Sequence, residues 1–591
     1  MKRVGRALLS LGFLAPFGCY EGGDRRLVAG DTFGDFGSES VDSSAGESAD
    51  SGGSVGPDIG DSSTSGDGAG DGSTSGDPTT GGSTTSGSTT GDSTTSGSTS
   101  TSSGDTGTIP PEDGNRIARD ISLTTVSINQ AVEVDVGSGN TLIPVSNRNG
   151  RIIRDRDALF RARWQVQSGF STRSLEARLT VNVGGTNTKT YFDTRTVSST
   201  GSANPGSYNG TFRWAVDGAD IQSGTTFSVG LYEIDDSYAT TPLPSPPPRL
   251  PTSGSSSLGV DSGNYEVDVV LVPIRWVYGS NDRTPNLSAT NIETIRRTIW
   301  ERNPAASINI SVRSQPVLWN NAISLSGILQ TLSQTKNQDN APDGTYYEGL
   351  ADFGCFAVNG SSCSNYGTTG LGYVAPSSSW ASDQRASISV WYDPQSSAET
   401  LTHELGHNQG MSHAPCGGAS GSDPSFPYSG GAIGVYGHKL NSTTIYSPSS
   451  TYDYMGYCDP SWVSDWTWEQ IAMRNGLFTT AAPLPSREGI LMQGIIDDDG
   501  AEHWVRLEGT LPLDSITPDT FIELWSEDRI VARLPAYEHE IGEDGAQVIT
   551  VQLPEEFDRA DGLQKIVAAV LDTPDVRTPL GLNFIPHAQL Q

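Results

Sequence analysis

Basic residues are scarce in this chain: 36 Lys and Arg stand against 69 Asp and Glu in 591 residues, a formal net charge of −33. A nucleic-acid binder needs a basic face to displace counterions from phosphates, so that class of partner is excluded. Beyond the N-terminus no run of about 18 apolar residues occurs, and no helical membrane span is expected in the body of the chain. Cysteine is limited to five residues and histidine to seven. From Leu27 to Asn115 there is neither Lys nor Arg, and repeats such as GSTTSGSTTGDSTTSGSTS offer almost nothing to bury. Residues 20–115 therefore read as a disordered acidic tether, either a stalk or a plain spacer.

What is present begins with a leader. Lys2, Arg3 and Arg6 precede an apolar run from Ala7 to Phe17, the layout of a secretory signal over residues 1–19, so an exported protein is expected. Gly18 followed by Cys19 resembles a bacterial lipoprotein processing site, and an acylated Cys19 would attach the chain to a membrane.

Ordered composition starts near Arg116. Leu175, Ala177, Leu179, Val181 and Val183 alternate with polar residues, as do Phe227, Val229 and Leu231, which predicts a β-sandwich-like domain over 116–241. Pro- and Ser-rich residues 242–262 read as a linker. Residues 263–482 change pattern: a buried strand at Val267 to Val272, a helix capped by Ser288, and a second strand at Ile308 to Val312 imply an α/β sheet with a parallel crossover. A helix near Ser326 to Lys336 and strands near Tyr346 to Leu350, Leu371 to Val374 and Ala386 to Tyr392 follow. Beyond Pro483 and Pro485, alternation as in HWVRL marks a β-rich accessory domain, 483–591.

The chemistry gathers in LTHELGHNQGMSH, Leu401 to His413. A helix over 398–408 puts His403 and His407 one turn apart on one face, where two imidazoles reach one metal ion. Leu401 and Leu405 face the core. Glu404 is placed to take a proton from a water at the metal rather than to ligate. Gly410 ends the helix and can adopt positive φ, so the chain can turn and deliver His413 as a third ligand. Three histidines leave one position of a tetrahedral Zn2+ open, the arrangement of hydrolytic zinc. Three of only seven histidines fall at this HExxHxxGxxH spacing.

The extended motif resembles that of the metzincin clan of zinc endopeptidases. The resemblance implies a mixed-sheet catalytic domain with an active-site helix, one catalytic Zn2+, and a methionine turn beneath the metal. STYDYMGYCDP supplies Met455 for that turn, and Tyr457 stands where some metzincins place a tyrosine that touches zinc or steadies an oxyanion. Ala414, after the third histidine, is not the marker residue of the astacins, serralysins, matrix metalloproteinases or adamalysins. The clan binds extended substrate along an edge strand, which Gly370 to Val374 would supply. Its closing helix would be capped by Ser464 and carry Ile471 and Met473. A latency switch using an upstream thiol is excluded, since no cysteine lies between Tyr20 and Gly354. HELGHNQGMSH, the GAIGVYGHKL segment and an upstream β domain are similar to the StcE-type secreted metzincins that cut mucin-like O-glycoproteins. His438, in that segment, reads as a surface histidine rather than a second metal ligand.

Cys355, Cys363, Cys416 and Cys458 form an even set in an exported chain. Three pairings exist; Cys355 with Cys363 and Cys416 with Cys458 is favoured, because the second bridge would staple the metal loop to the methionine turn. A cysteine ligand to zinc competes with this, although three histidines already complete the site. The reading is thus an exported, surface-tethered zinc endopeptidase with protein or glycoprotein substrates. No structural Ca2+ site is assigned. The alternatives are a non-catalytic adhesin-like lipoprotein and a zinc hydrolase of cell-wall peptides.

Overall fold

The structure is a computed structural model that describes residues 116–581, apart from 186, 241, 264, 477–487, 498–499, 542–545 and 559–565. The signal segment 1–19, Cys19, the 20–115 tether and the Pro483/Pro485 boundary lie outside the described residues. The chain is multidomain and mixed α/β, with many strands and few helices.

The first domain is two antiparallel sheets. One runs Thr141–Leu142, Glu133–Ser138, Ile121–Asn129, Ala158–Val166, Phe212–Val216; the other runs Ser256–Ser257, Thr226–Glu233, Arg173–Val183, Asn187–Val197. Leu175, Ala177, Leu179 and Val181 are buried on one face, and Phe160 of the first sheet meets Phe227 of the second at 6.3 Å between ring centroids. The segment 242–262 is not a bare linker. Arg249–Leu250 and Ser256–Ser257 both pair with Thr226–Glu233, because Leu250 is apolar and fully buried in the space that Gly137 leaves open.

The central domain is built on Glu266–Tyr278. This strand carries Ser307–Val312 and Val317–Trp319 in parallel on one side and Thr345–Ala351 in parallel on the other. Ala386–Val390 follows in parallel, and Gly370–Gly372 closes that edge antiparallel. The long strand reads as a continuous apolar run because both faces are covered. Val267, Val269 and Leu271 pack against helices α1 (Ala289–Arg302) and α3 (Pro394–Asn408), while Val272 and Ile274 face α2 (Leu325–Gln338). Ser288 caps α1, accepting from Asn291 N at 3.3 Å. After α3 the chain runs irregularly to α4 (Asp465–Asn475), capped by Ser464, with Ile471 buried but Met473 exposed to solvent.

The last domain is one antiparallel sheet in the order Glu502–Glu508, Ile490–Ile496, Gln547–Leu553, Arg529–Glu540, Phe521–Ser526, Ala568–Asp572, Arg577–Leu580. It is docked on the central domain: α2 packs against it, with Asn337 Nδ2 donating to Glu508 O at 2.9 Å and Ser326 to Asp497 at 2.6 Å. Ile495 and Val548 enter the same apolar cluster as Ile328 and Leu332.

Candidate metal centre

Helix α3 starts at Pro394 because Asp393 accepts from Gln395 N and Ser396 N, and proline suits the first helical turn. Its inner face buries Ala398, Leu401 and Leu405. Asn408 anchors its far end to the sheet, donating to Tyr373 O at 3.1 Å and Ala386 O at 2.9 Å. Gly410 has φ +81°, and the chain turns there toward His413.

Each of the three histidines has its Nδ1 on a backbone carbonyl: His403 on Tyr454 O at 2.8 Å, His407 on Met411 O at 2.6 Å, His413 on Ser420 O at 2.6 Å. A carbonyl only accepts, so each Nδ1 carries the proton and each Nε2 presents a lone pair. The three buried side chains offer ligand atoms within 4.8 Å of one another, and the Nε2 atoms of His403 and His407 are 3.1 Å apart. Two facing lone pairs repel unless a cation lies between them. Burial, and then His403 and His413, push the His407 pKa well down, so protonation does not relieve the repulsion near neutrality. The donor set therefore fits a metal ion, and three imidazoles suit zinc among others.

Glu404 is buried beside the histidines and lies against the sheet edge. A Cβ at Gly370 would stand 2.4 Å from its Oε1, and one at Gly372 would stand 3.0 Å from its Oε2. Both glycines of Gly370–Gly372 thus leave the space that the carboxylate fills. Tyr457 reaches the site from the other side, with its hydroxyl 3.1 Å from His413 Nε2.

Met455 lies under α3, filling space that any side chain at Gly406 would need: a Cβ there would be 2.3 Å from its Sδ. Its turn is fixed by buried Asp453, which accepts from Met455 N and Ser464 N. The turn is laced to the third-ligand loop by Ala414 N to Met455 O at 3.0 Å, Tyr457 N to Cys416 O at 3.1 Å, and the Cys416–Cys458 disulfide. Cys355 pairs with Cys363. Two disulfides fit an oxidising compartment, and among the described residues no helix is long and apolar enough to cross a membrane.

His438 is buried rather than at the surface: its backbone N–H donates to Ala131 O and its ring Nδ1 lies 3.0 Å from Thr444 O, inside the joint between the first domain and the metal loop. It is not among the clustered ligands. Sequence reading passed over the spacing role of Gly370 and Gly372, although the alternating glycines of GLG are its trace. The anchoring by Asn408 carries no local signal. No protein-family model and no curated protein matches this chain.

Proposed function

We propose that the chain is a zinc-dependent endopeptidase of the metzincin type, exported, tethered through its N-terminal region, and acting on protein or glycoprotein chains, mucin-like O-glycoproteins among them. The observation that supports this most is the meeting, at one buried point, of three imidazoles fixed as Nε2 donors with the Glu404 carboxylate, a methionine turn below and a sheet edge alongside. Zn2+ held by His403, His407 and His413 would acidify a water molecule and polarise the scissile carbonyl. Glu404 takes the proton from the attacking water and returns it to the leaving amine. Tyr457 donates its hydroxyl hydrogen to the oxygen that gains charge as the carbonyl becomes tetrahedral. The edge of Gly370–Gly372 offers main-chain groups to an extended substrate, which sets the bond to be cut over the site.

The test is a paired digestion of unfolded casein and of an O-glycosylated mucin-domain protein by the zinc-loaded full chain and its Glu404→Ala variant. The variant is expected to retain one metal per chain while cutting about 10²–10⁴-fold more slowly. Equal cutting by the two proteins, or one-to-one zinc binding without cleavage of any substrate, would sink the reading. The substrate that is cut separates general proteolysis from glycoprotein specificity.

A further inference from the structure

The strand beside the candidate site turns its main chain two ways. Val390 N donates to Thr369 O at 2.8 Å, and Gly370 faces Ser389 while Leu371 faces Ile388. In an antiparallel pair only alternate residues exchange both bonds with the partner, so the N–H and C=O groups of Thr369 and Leu371 point into the sheet. Those of Thr368, Gly370 and Gly372 point outward, along the edge that an extended chain would join.

Segments of the molecule itself take that edge on either side of the glycines. On one side Thr368 N donates to Val358 O, and Thr368 O accepts from Val358 N, both at 2.9 Å. Val358 belongs to the hairpin of Ala357–Asn359 and Ser362–Ser364, which the Cys355–Cys363 disulfide closes. Gly367, at φ +122°, permits this approach, since a Cβ there would stand 2.4 Å from Val358 O. On the other side Tyr373 makes an antiparallel bridge to Ile541 of the C-terminal domain. Ile541 and His413 line one cavity of about 440 Å³, so the bridge lies on the side of the strand that faces the metal centre, away from Ala386–Val390. It is held from within the fold: Tyr373 and Ile541 are buried in one apolar cluster with Ile495 and Val548, and the Tyr373 hydroxyl donates to Gln493 Oε1 at 3.2 Å.

We propose that Val358 and Ile541 are stops that set substrate specificity: a substrate pairs with this edge only at Gly370 and Gly372, and is extended over about three residues at the cut. An open edge strand of ordinary length, about five or six residues, would engage a longer stretch. The class of substrate that fits is a chain whose backbone is free only close to the bond to be cut. Proline is accepted directly outside that stretch, because the N–H it lacks has no partner there. The inference rests on the endopeptidase reading for the substrate's presence at the edge, and narrows what that substrate is.

The test uses the zinc-loaded full chain and a peptide spanning a bond that it cuts in casein or in the mucin-domain protein, long enough to run well past the cut on both sides. Its amide nitrogens are methylated one at a time, and kcat/KM is measured for each peptide. Apart from the scissile amide, a loss of about threefold to tenfold, that of one hydrogen bond, is expected at one position or at two positions two residues apart, and less than about twofold elsewhere. Any other pattern overturns the stops while leaving the endopeptidase standing. Losses that continue at every second residue would mean that the edge stays open past Thr368 or Tyr373, and no loss anywhere would mean that the substrate does not pair with the glycines. If neither protein is cut, the endopeptidase reading fails separately, and binding of the methylated series of a casein peptide, measured by calorimetry, decides the stops by the same pattern. Undetectable binding of the unmethylated peptide overturns them.

Discussion

In the proposed reading Glu404 is a general base, a role that requires its carboxylate to stay in place, and Gly370 and Gly372 shape the space that the carboxylate fills. At Gly370 an added Cβ would stand 2.4 Å from Glu404 Oε1 and 2.8 Å from its Cδ, well inside contact distance. The strand is fixed by its pairing to Ala386–Val390, so the carboxylate is what must move. Gly370→Ala is expected to lower kcat about 10²-fold, as a displacement near 1 Å does, while zinc stoichiometry stays at one per chain. Undiminished turnover in that variant would remove Glu404 positioning from the account. Gly372 differs, because a Cβ there would also press on Glu404 O, the backbone of α3, at 3.0 Å. The two glycines thus guard two things, the carboxylate and the helix that carries it.

The third-ligand loop and the methionine turn behave as one element. Neither contains regular structure of any length, and their shape is set by backbone bonds at Ala414 and Tyr457 and by the Cys416–Cys458 bridge, which closes a loop with sequence separation 42. Loop-closure entropy for that length corresponds to about 4 kcal/mol of stabilisation. Replacing both cysteines by serine is expected to lower the unfolding free energy by up to about 4 kcal/mol and to weaken zinc binding, with His413 the ligand set loose; calorimetry and metal titration check it. A variant that keeps wild-type zinc affinity would show that backbone bonds alone hold the loop. This pair of elements also marks how far the chain can be read without its fold. His403, Glu404 and His407 are legible because one helical turn fixes their spacing, and His413 because Gly410 permits a single sharp turn. Met455 is legible only through family resemblance, since nothing local ties it to a helix ending at Asn408. The start of α3 at Pro394 was within reach of the Asp393-Pro394 pair, four residues before the spacing of the histidines requires a helix. His438 was misplaced because its burial depends on Ala131, some three hundred residues away. The packing of Tyr537 against Trp380 and of His539 near Tyr373 depends on how the last domain docks, and strand alternation reports a buried face without naming what covers it.

At the scale of the whole molecule the three domains share cores. Arg156 of the first domain is fully buried and donates to the carbonyls of Trp300, Asn303 and Ala305 at the end of α1, with its guanidinium over the rings of Trp300 and Trp468. Such joints place titratable groups where water cannot reach them, so stability depends on pH from both sides. Burial pushes His438 down to about 4 and His539 to about 3, from an ordinary value of 6.5. Their contribution is present above pH 6.5 and is lost as the pH falls through those folded values. Burial pushes Glu348, on the central strand Thr345–Ala351, up from 4.5 to about 8, against the lowering effect of a hydrogen bond from the Ser387 hydroxyl. Its contribution has the opposite sign: it is fully present below pH 4.5 and is lost as the pH rises through about 8, because the unfolded chain releases the proton first. Self-repulsion within a chain of net charge −33 also weakens the fold on the alkaline side, so the wild-type curve alone does not isolate Glu348. Glu348→Gln separates the two effects, since Gln accepts from Ser387 without titrating. Melting temperatures of the zinc-saturated variant are expected to decline less than those of the wild type between pH 4.5 and 8 and to match its slope below that window. Parallel curves across the window would mean that the Glu348 carboxyl already ionises at an ordinary pH, and that the central sheet tolerates a buried charge.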